Sequence, residues 1–211
     1  NGSDTLTIST TDETVHQLNI NANLQGYYTF DSAAPGDDSS PVGANSGSLV
    51  GATVTSDPTH GDVLTLDGDG DHVLVNTKMG EPANVTIAGW VNLQSADTDG
   101  ATVLQVTGVL GLRLDTPTGR MTAFFNDGAT THSISVDETL AGSGWRHVAF
   151  TFDDTTNTAK LYLDGVEVAT KTINASINYT GSTTRIGGLS IDGYDFNGSM
   201  DEVRGYDSAL S

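Results

Sequence analysis

Carboxylates are the most abundant reactive groups in this chain. Asp and Glu total 27 of 211 residues against 8 Lys and Arg, a formal net charge of −19, and 22 of the 27 acids are aspartates. Aspartate oxygens set among glycines are hard donors of the kind Ca²⁺ takes, six to eight of them at about 2.3–2.6 Å. The densest such stretch is Asp67-Gly68-Asp69-Gly70-Asp71. As an EF-hand loop it fails, because the position that must carry the closing carboxylate holds Lys78. A glycine-rich calcium repeat would need tandem copies, and the chain has one. The stretch therefore reads as a tight turn between two strands.

Other chemistries are missing. There is no Cys, and His16, His60, His72, His132 and His147 are scattered without zinc spacing. No nucleophile elbow, phosphate-binding loop or dinucleotide fingerprint occurs. His147 sits mid-strand and reads as a structural residue. Saccharide recognition is the chemistry that polar loops can still supply. Asp97 and Asp99, Asn126 and Asp127, and Asp192, Tyr194 and Asp195 are the candidates. Tyr194 could stack on a pyranose ring while the Asp and Asn side chains take its hydroxyls.

Strands must position these groups. In 145–152 Val148, Phe150 and Phe152 alternate with His147, Ala149 and Thr151, and in 160–163 Leu161 and Leu163 alternate with Lys160 and Tyr162. Asp164-Gly165 then signals a two-residue hairpin turn. Further strands are expected at 16–24, 27–30, 63–66, 72–75, 85–93, 102–106, 111–114, 121–125, 130–136, 182–186 and 199–206, with no convincing helix. Many short strands at even spacing predict an all-β, two-sheet antiparallel sandwich of jelly-roll type. Val148, Phe150, Phe152, Leu161, Leu163 and Trp90 are expected at or near its core, and Trp145 likewise. Residues 1–16 read as a linker or the end of a preceding domain, and 17–211 as the domain itself.

The acidic balance disfavours nucleic acid and anionic membranes. No stretch approaches the roughly 18 apolar residues of a membrane span. Lack of Cys points to a cytosolic protein or a bacterial surface protein.

Five segments in order carry a family resemblance: 26–40 (G-Y-Y-T-F-D…D-S-S), 64–75 (L-T-L-D-G-D-G-D-H-V-L-V), 85–93 (V-T-I-A-G-W-V-N-L), 145–168 (W-R-H-V-A-F-T-F…K-L-Y-L-D-G-V-E-V) and 196–211 (F-N-G-S-M-D-E-V-R-G-Y-D-S-A-L-S). Together they resemble the laminin G-like branch of the concanavalin A-like lectin/glucanase superfamily. The resemblance implies a concanavalin A-like jelly roll. It also implies a structural Ca²⁺ joining the long loop 31–47 to the last strand, with Asp38 and Asp201 as first ligands and Asp31 and Asn45 next. Glucanases of this fold carry E-x-D-x-x-E on one strand. The five glutamates here lie too far apart for that motif, so no enzyme is expected. The expected function is a non-catalytic carbohydrate-binding or adhesion module of a larger extracellular bacterial protein, monomeric and facing a glycan or cell-surface ligand. A spacer or protein-interaction module is the alternative, and a glycan hydrolase or lyase a third reading, because fold alone carries no function.

Overall fold

The computed structural model describes residues 5–9, 15–19, 23–31, 33–115, 118–189 and 193–210, the side chains of 5–9 and 15–19 excepted. Among these residues every regular element is a strand. In chain order they begin β1 (Thr5–Ser9), β2 (Val15–Asn19), β3 (Leu24–Tyr28), β4 (Gly47–Val50), β5 (Thr53–Asp57) and β6 (Gly61–Asp67). There follow β7 (His72–Val75), β8 (Val85–Ala96), β9 (Ala101–Val106), β10 (Leu110–Asp115), β11 (Arg120–Asn126) and β12 (Thr131–Val136). The last are β13 (Arg146–Asp153), β14 (Thr158–Leu163), β15 (Val166–Thr172), β16 (Thr184–Ile186) and β17 (Phe196–Tyr206).

Two antiparallel sheets form the sandwich. One runs β12-β11-β10-β9-β16-β7-β4; the other runs β15-β14-β13-β8-β17-β6-β5, with β3 also pairing with β17. β1 and β2 form a separate two-stranded sheet, so the expected boundary after residue 16 falls inside β2. The strands β4 and β5, not foreseen in the sequence, close the two sheet edges.

Alternation builds the core. Val148, Phe150 and Phe152 on β13 and Leu161 and Leu163 on β14 are all buried, as expected. The rings of Phe125 on β11 and Phe152 on β13 lie 4.5 Å apart between centroids, locking one sheet onto the other. The turn at 164–165 is the predicted hairpin. Asp164 (φ 50°) and Gly165 (φ 79°) both take the left-handed conformation that a type I′ turn needs, and Leu163 faces Val166. Asp67–Asp71 is a turn too, but it carries the chain between sheets, since β6 and β7 belong to different ones. The Asp67 N–H donates to Asp71 Oδ2 and the Asp69 N–H to Asp67 Oδ1.

The tryptophans correct the sequence reading. On β8, Ile87, Gly89 and Val91 point inward, so the alternation turns Trp90 to the outer face, where it is half-buried. Trp145 lies just before β13, also half-buried, with its Nε1–H donating to Asp57 Oδ2.

Candidate functional site

The outer face of the eight-stranded sheet can be read off its register. Ala149 on β13 faces Ala88 on β8, with Tyr162 of β14 beyond one and Arg204 of β17 beyond the other. The row Tyr162–Ala149–Ala88–Arg204 thus has small side chains in the middle and large ones at its ends, about 14 Å apart at ~4.8 Å per strand. The row above is His147–Trp90–Asp201, and the row below is Thr151–Thr86–Tyr206. The two alanines form the floor of a groove of about 280 Å³, walled by His147, Tyr162, Arg204 and Tyr206. A second hollow of about 310 Å³ shares Thr151, Tyr162 and Leu210 and continues toward Asp153 and Lys160. The chain's final stretch forms part of the wall: the Thr86 hydroxyl donates to Ser208 O and accepts from the Leu210 N–H.

A bulge in β17 concentrates polar groups here. Between Asp201 and Arg204 the strand carries one residue more than its partner β8, and Glu202 takes φ 54°. Arg204 ion-pairs with Glu202, and its guanidinium lies 4.3 Å from the Tyr27 ring centroid. The Tyr27 hydroxyl donates to Glu202 as well, so both long side chains are held. Burial lowers the pKa of His147, and Arg204 adds to the effect, so the imidazole facing the groove is neutral at neutral pH.

Beside the groove stands an aromatic stack. His60 stacks on Trp145 at 4.1 Å and meets the Trp90 edge at 5.2 Å; Trp90 in turn meets His147 at 5.2 Å. His60 Nδ1 lies 3.2 Å from Asp201 Oδ2. Burial pushes the Asp201 carboxyl up to about 6. Asp57 goes the other way, to about 2, because the Thr59 hydroxyl and amide and the Trp145 indole all donate to it.

Of the expected calcium ligands, Asp38 and Asn45 are neighbours, and Asp31 and Asp201 each contact the 60–62 segment. Asp38 accepts from the Tyr27 and Ser40 amides through Oδ1 and from the Asn45 amide through Oδ2. The Asn45 side chain donates to Gln25 O and accepts from the Thr77 hydroxyl. Asp31 is exposed and accepts from the Asp62 amide. Asp201 faces His60 and the Glu202 amide. None of these partners is common to Asp38 and Asp201. Among the described residues no three acidic or histidine side chains gather as a metal site.

The expected saccharide residues divide in two. Asp97 and Asp99 lie at the β8–β9 turn, and Asp99 packs against Gly193 beside Tyr194 and the buried Asp195. Asp192 lies outside the described residues. Asn126 and Asp127 sit at the opposite end of the seven-stranded sheet, in the β11–β12 turn. There Asp127 accepts from the Ala129 and Thr130 amides and from His132, which together hold its carboxyl at about 2. Of the groove's residues, His147, Ala149, Thr151 and Tyr162 belong to the outward sets of β13 and β14 that alternation marks in the sequence. Nothing in the sequence showed that two alanines would stand side by side there.

Comparison with solved structures gives the same architecture. Domain 4 of the extracellular arabinanase AbnA from Geobacillus stearothermophilus, in complex with arabinotriose, matches with a TM-score of 0.74 at 18% identity, covering 90% of this chain and 94% of that one. The binding domain of Paraclostridial Mosquitocidal Protein 1 matches at 0.69 and 15%, covering 90% and 50%. The ligand binding domain of botulinum neurotoxin serotype D, in complex with N-acetylneuraminic acid, matches at 0.67 and 17%, covering 91% and 49%. The chain thus spans about half the length of the toxin domains, and at these identities the likeness is one of fold. A search of curated proteins finds no match. Residues 67–211, most of the sandwich and the whole of its groove-bearing strands β8, β13, β14 and β17, match the model of the concanavalin A-like lectin/glucanase superfamily, to which this chain belongs.

Proposed function

We propose that this chain is a non-catalytic carbohydrate-binding or adhesion module of a larger extracellular bacterial protein, and that it takes a glycan in the groove on the outer face of the eight-stranded sheet. The observation that carries this reading is the alanine floor. Side-by-side Ala88 and Ala149 let a flat ring approach the sheet, while Tyr162 and Tyr206 offer aromatic faces and His147 and Arg204 offer donors at the rim. The arabinotriose of the arabinanase domain and the N-acetylneuraminic acid of the toxin domain support a saccharide as the ligand class.

Binding is favoured over hydrolysis by the placement of the carboxylates. Among the described residues no Asp or Glu lines the walls around the alanine floor. The nearby Asp201 has the raised pKa of a general acid, yet it is 3% exposed and lies against His60, out of reach of a glycosidic oxygen.

The test is a glycan array followed by calorimetry with arabino-oligosaccharides and sialylated oligosaccharides. Tyr162→Ala should weaken the best ligand at least tenfold, about 1.4 kcal/mol, with the melting temperature unchanged. A wild-type protein that binds no saccharide, or a Tyr162→Ala protein that binds as well as wild type, overturns the reading in favour of a spacer or protein-interaction module.

A further inference from the structure

The groove over Ala88 and Ala149 does not end at Tyr162. Along β13 and β14 the outward pair Ala149 and Tyr162 is followed by Thr151 facing Lys160, and then by Asp153 facing Thr158. The first and last of these pairs lie four residues apart, about 14 Å at ~3.4 Å per residue. The second hollow, of about 310 Å³, opens over the far pair and is lined by Asp153, Thr156, Thr158 and Lys160. Each hollow alone stands near the lower end of the roughly 300–1,000 Å³ of small-ligand sites.

The two hollows meet at a neck, since Thr151, Tyr162 and Leu210 line both. Thr151 is buried and forms the bed there, Tyr162 stands on β14, and Leu210 comes over from the chain's final stretch. Leu210 is 42% exposed, yet its backbone is anchored. Its N–H donates to the Thr86 hydroxyl, which itself donates to Ser208 O. A leucine held in the open beside a tyrosine gives the C–H faces of a sugar ring apolar surfaces to pack on.

Charges around this trough are already matched. Lys160 pairs with Glu167 at 2.9 Å, and Arg204 pairs with Glu202. Asp153 accepts from the Thr155 and Thr156 amides, and hydrogen bonding from the Thr156 side chain above all holds its carboxyl below the usual range. The Thr158 hydroxyl donates to Thr156 O and can still accept. The lining therefore offers a sugar's hydroxyls both donors and acceptors. Among the described residues around the trough no cation is left over, one carboxylate is, and the whole chain carries −19. An anionic ligand would meet repulsion there.

We propose that the two hollows are consecutive subsites for one neutral, linear oligosaccharide, whose chain passes the neck between Tyr162 and Leu210. The proposal rests on the reading of the groove as a glycan site and adds the length and charge of the glycan.

The experiment titrates arabino-, cello- and manno-oligosaccharides calorimetrically, from disaccharide to tetrasaccharide, beside galacturonate oligosaccharides of the same lengths. At least one neutral series should bind at least tenfold more tightly as tetrasaccharide than as disaccharide, and at least tenfold more tightly than galacturonate of equal length. Thr158→Val and Lys160→Met should each cut the gain on lengthening to less than threefold, with melting temperatures unchanged. Should Thr158→Val fail to fold, Lys160→Met decides alone. Leu210→Ala should weaken the tetrasaccharide at least fivefold. Binding by none of the neutral series overturns the proposal. So does affinity that does not rise with length, binding of galacturonate as tight as the neutral series, a gain on lengthening that survives either substitution in a folded protein, or wild-type binding by Leu210→Ala. The groove reading falls with it only if a glycan array is blank or Ala149→Trp leaves glycan binding undiminished.

Discussion

The outer faces of the two sheets are built from the same alternating strands, yet they settle their charges differently. On the eight-stranded sheet Arg204 is paired with Glu202, Lys160 with Glu167, Arg146 with Asp164, and Asp201 faces His60. The empty space there is apolar at its floor, over Ala88 and Ala149. On the seven-stranded sheet, among the described residues, Arg113 lies against the Phe124 and Tyr194 rings and Arg185 against His72, neither in an ion pair with a carboxylate. The eight-stranded sheet leaves room above its face. On the other face the cations lie against rings instead of carboxylates. Charges settled by carboxylates and charges settled by rings thus distinguish the two sides of the sandwich.

The largest expected effect acts on the core that both faces share. Phe150 lies beneath the groove at 1% exposure, and Phe150→Ala should destabilise the protein by about 3–5 kcal/mol in denaturant unfolding. A loss below 1 kcal/mol would mean that the inner face has been misassigned.

Next in size is the edge loop behind β3. Asp38 satisfies three backbone amides, so Asp38→Ala should cost about 2–4 kcal/mol by leaving buried donors unpaired. If amides alone brace the loop, the loss is the same in Ca²⁺ and in chelator at matched ionic strength. If an ion braces it, wild-type melting rises with Ca²⁺ and Asp38→Ala loses that rise.

The sharpest contrast pairs two arginines. Arg204→Gln breaks an ion pair and a ring contact and should cost about 1 kcal/mol, whereas Arg185→Gln should change stability by less than about 0.5 kcal/mol. Equal costs in parallel melts would erase the difference between the faces.

The smallest effect is one of pH. The folded Asp201 carboxyl titrates at about 6, above the roughly 3.9 of an unfolded aspartate. The folded state therefore holds this proton more tightly. Its contribution is full below about pH 4 and is lost as pH rises through about 6. Asp201→Asn should flatten that fall, read from melting temperatures between pH 4 and 7 with His60 and Glu202 intact. An unchanged slope would place the titration elsewhere.

Much of the frame was legible because alternation is a local signal. The inward set Val148, Phe150 and Phe152 and the outward set His147, Ala149 and Thr151 follow from period two alone, and Asp164-Gly165 names its own turn. Trp90 was misjudged because a large aromatic in a strand suggests core, while parity with Val91 puts it outside. The groove was hidden for a different reason. It depends on β13 lying beside β8 and β8 beside β17, and such pairing joins residues distant in sequence. The register shift between Asp201 and Arg204, with a glutamate at positive φ, leaves no mark in the sequence. Arg113 and Arg185 stand 72 residues apart in the chain, and only the sheet order brings them to either side of β9.

On the proposed reading a saccharide lies on the floor made by Ala88 and Ala149. Filling that floor from one side tests it most directly. Ala149→Trp directs a large ring outward into the groove from a position whose backbone is held by β8 and β14. The groove's best glycan, titrated calorimetrically into wild type and variant, should bind the variant at least a hundredfold more weakly, about 2.7 kcal/mol, while both proteins keep the same cooperative unfolding. Undiminished binding by a folded Ala149→Trp protein would show that the glycan sits elsewhere.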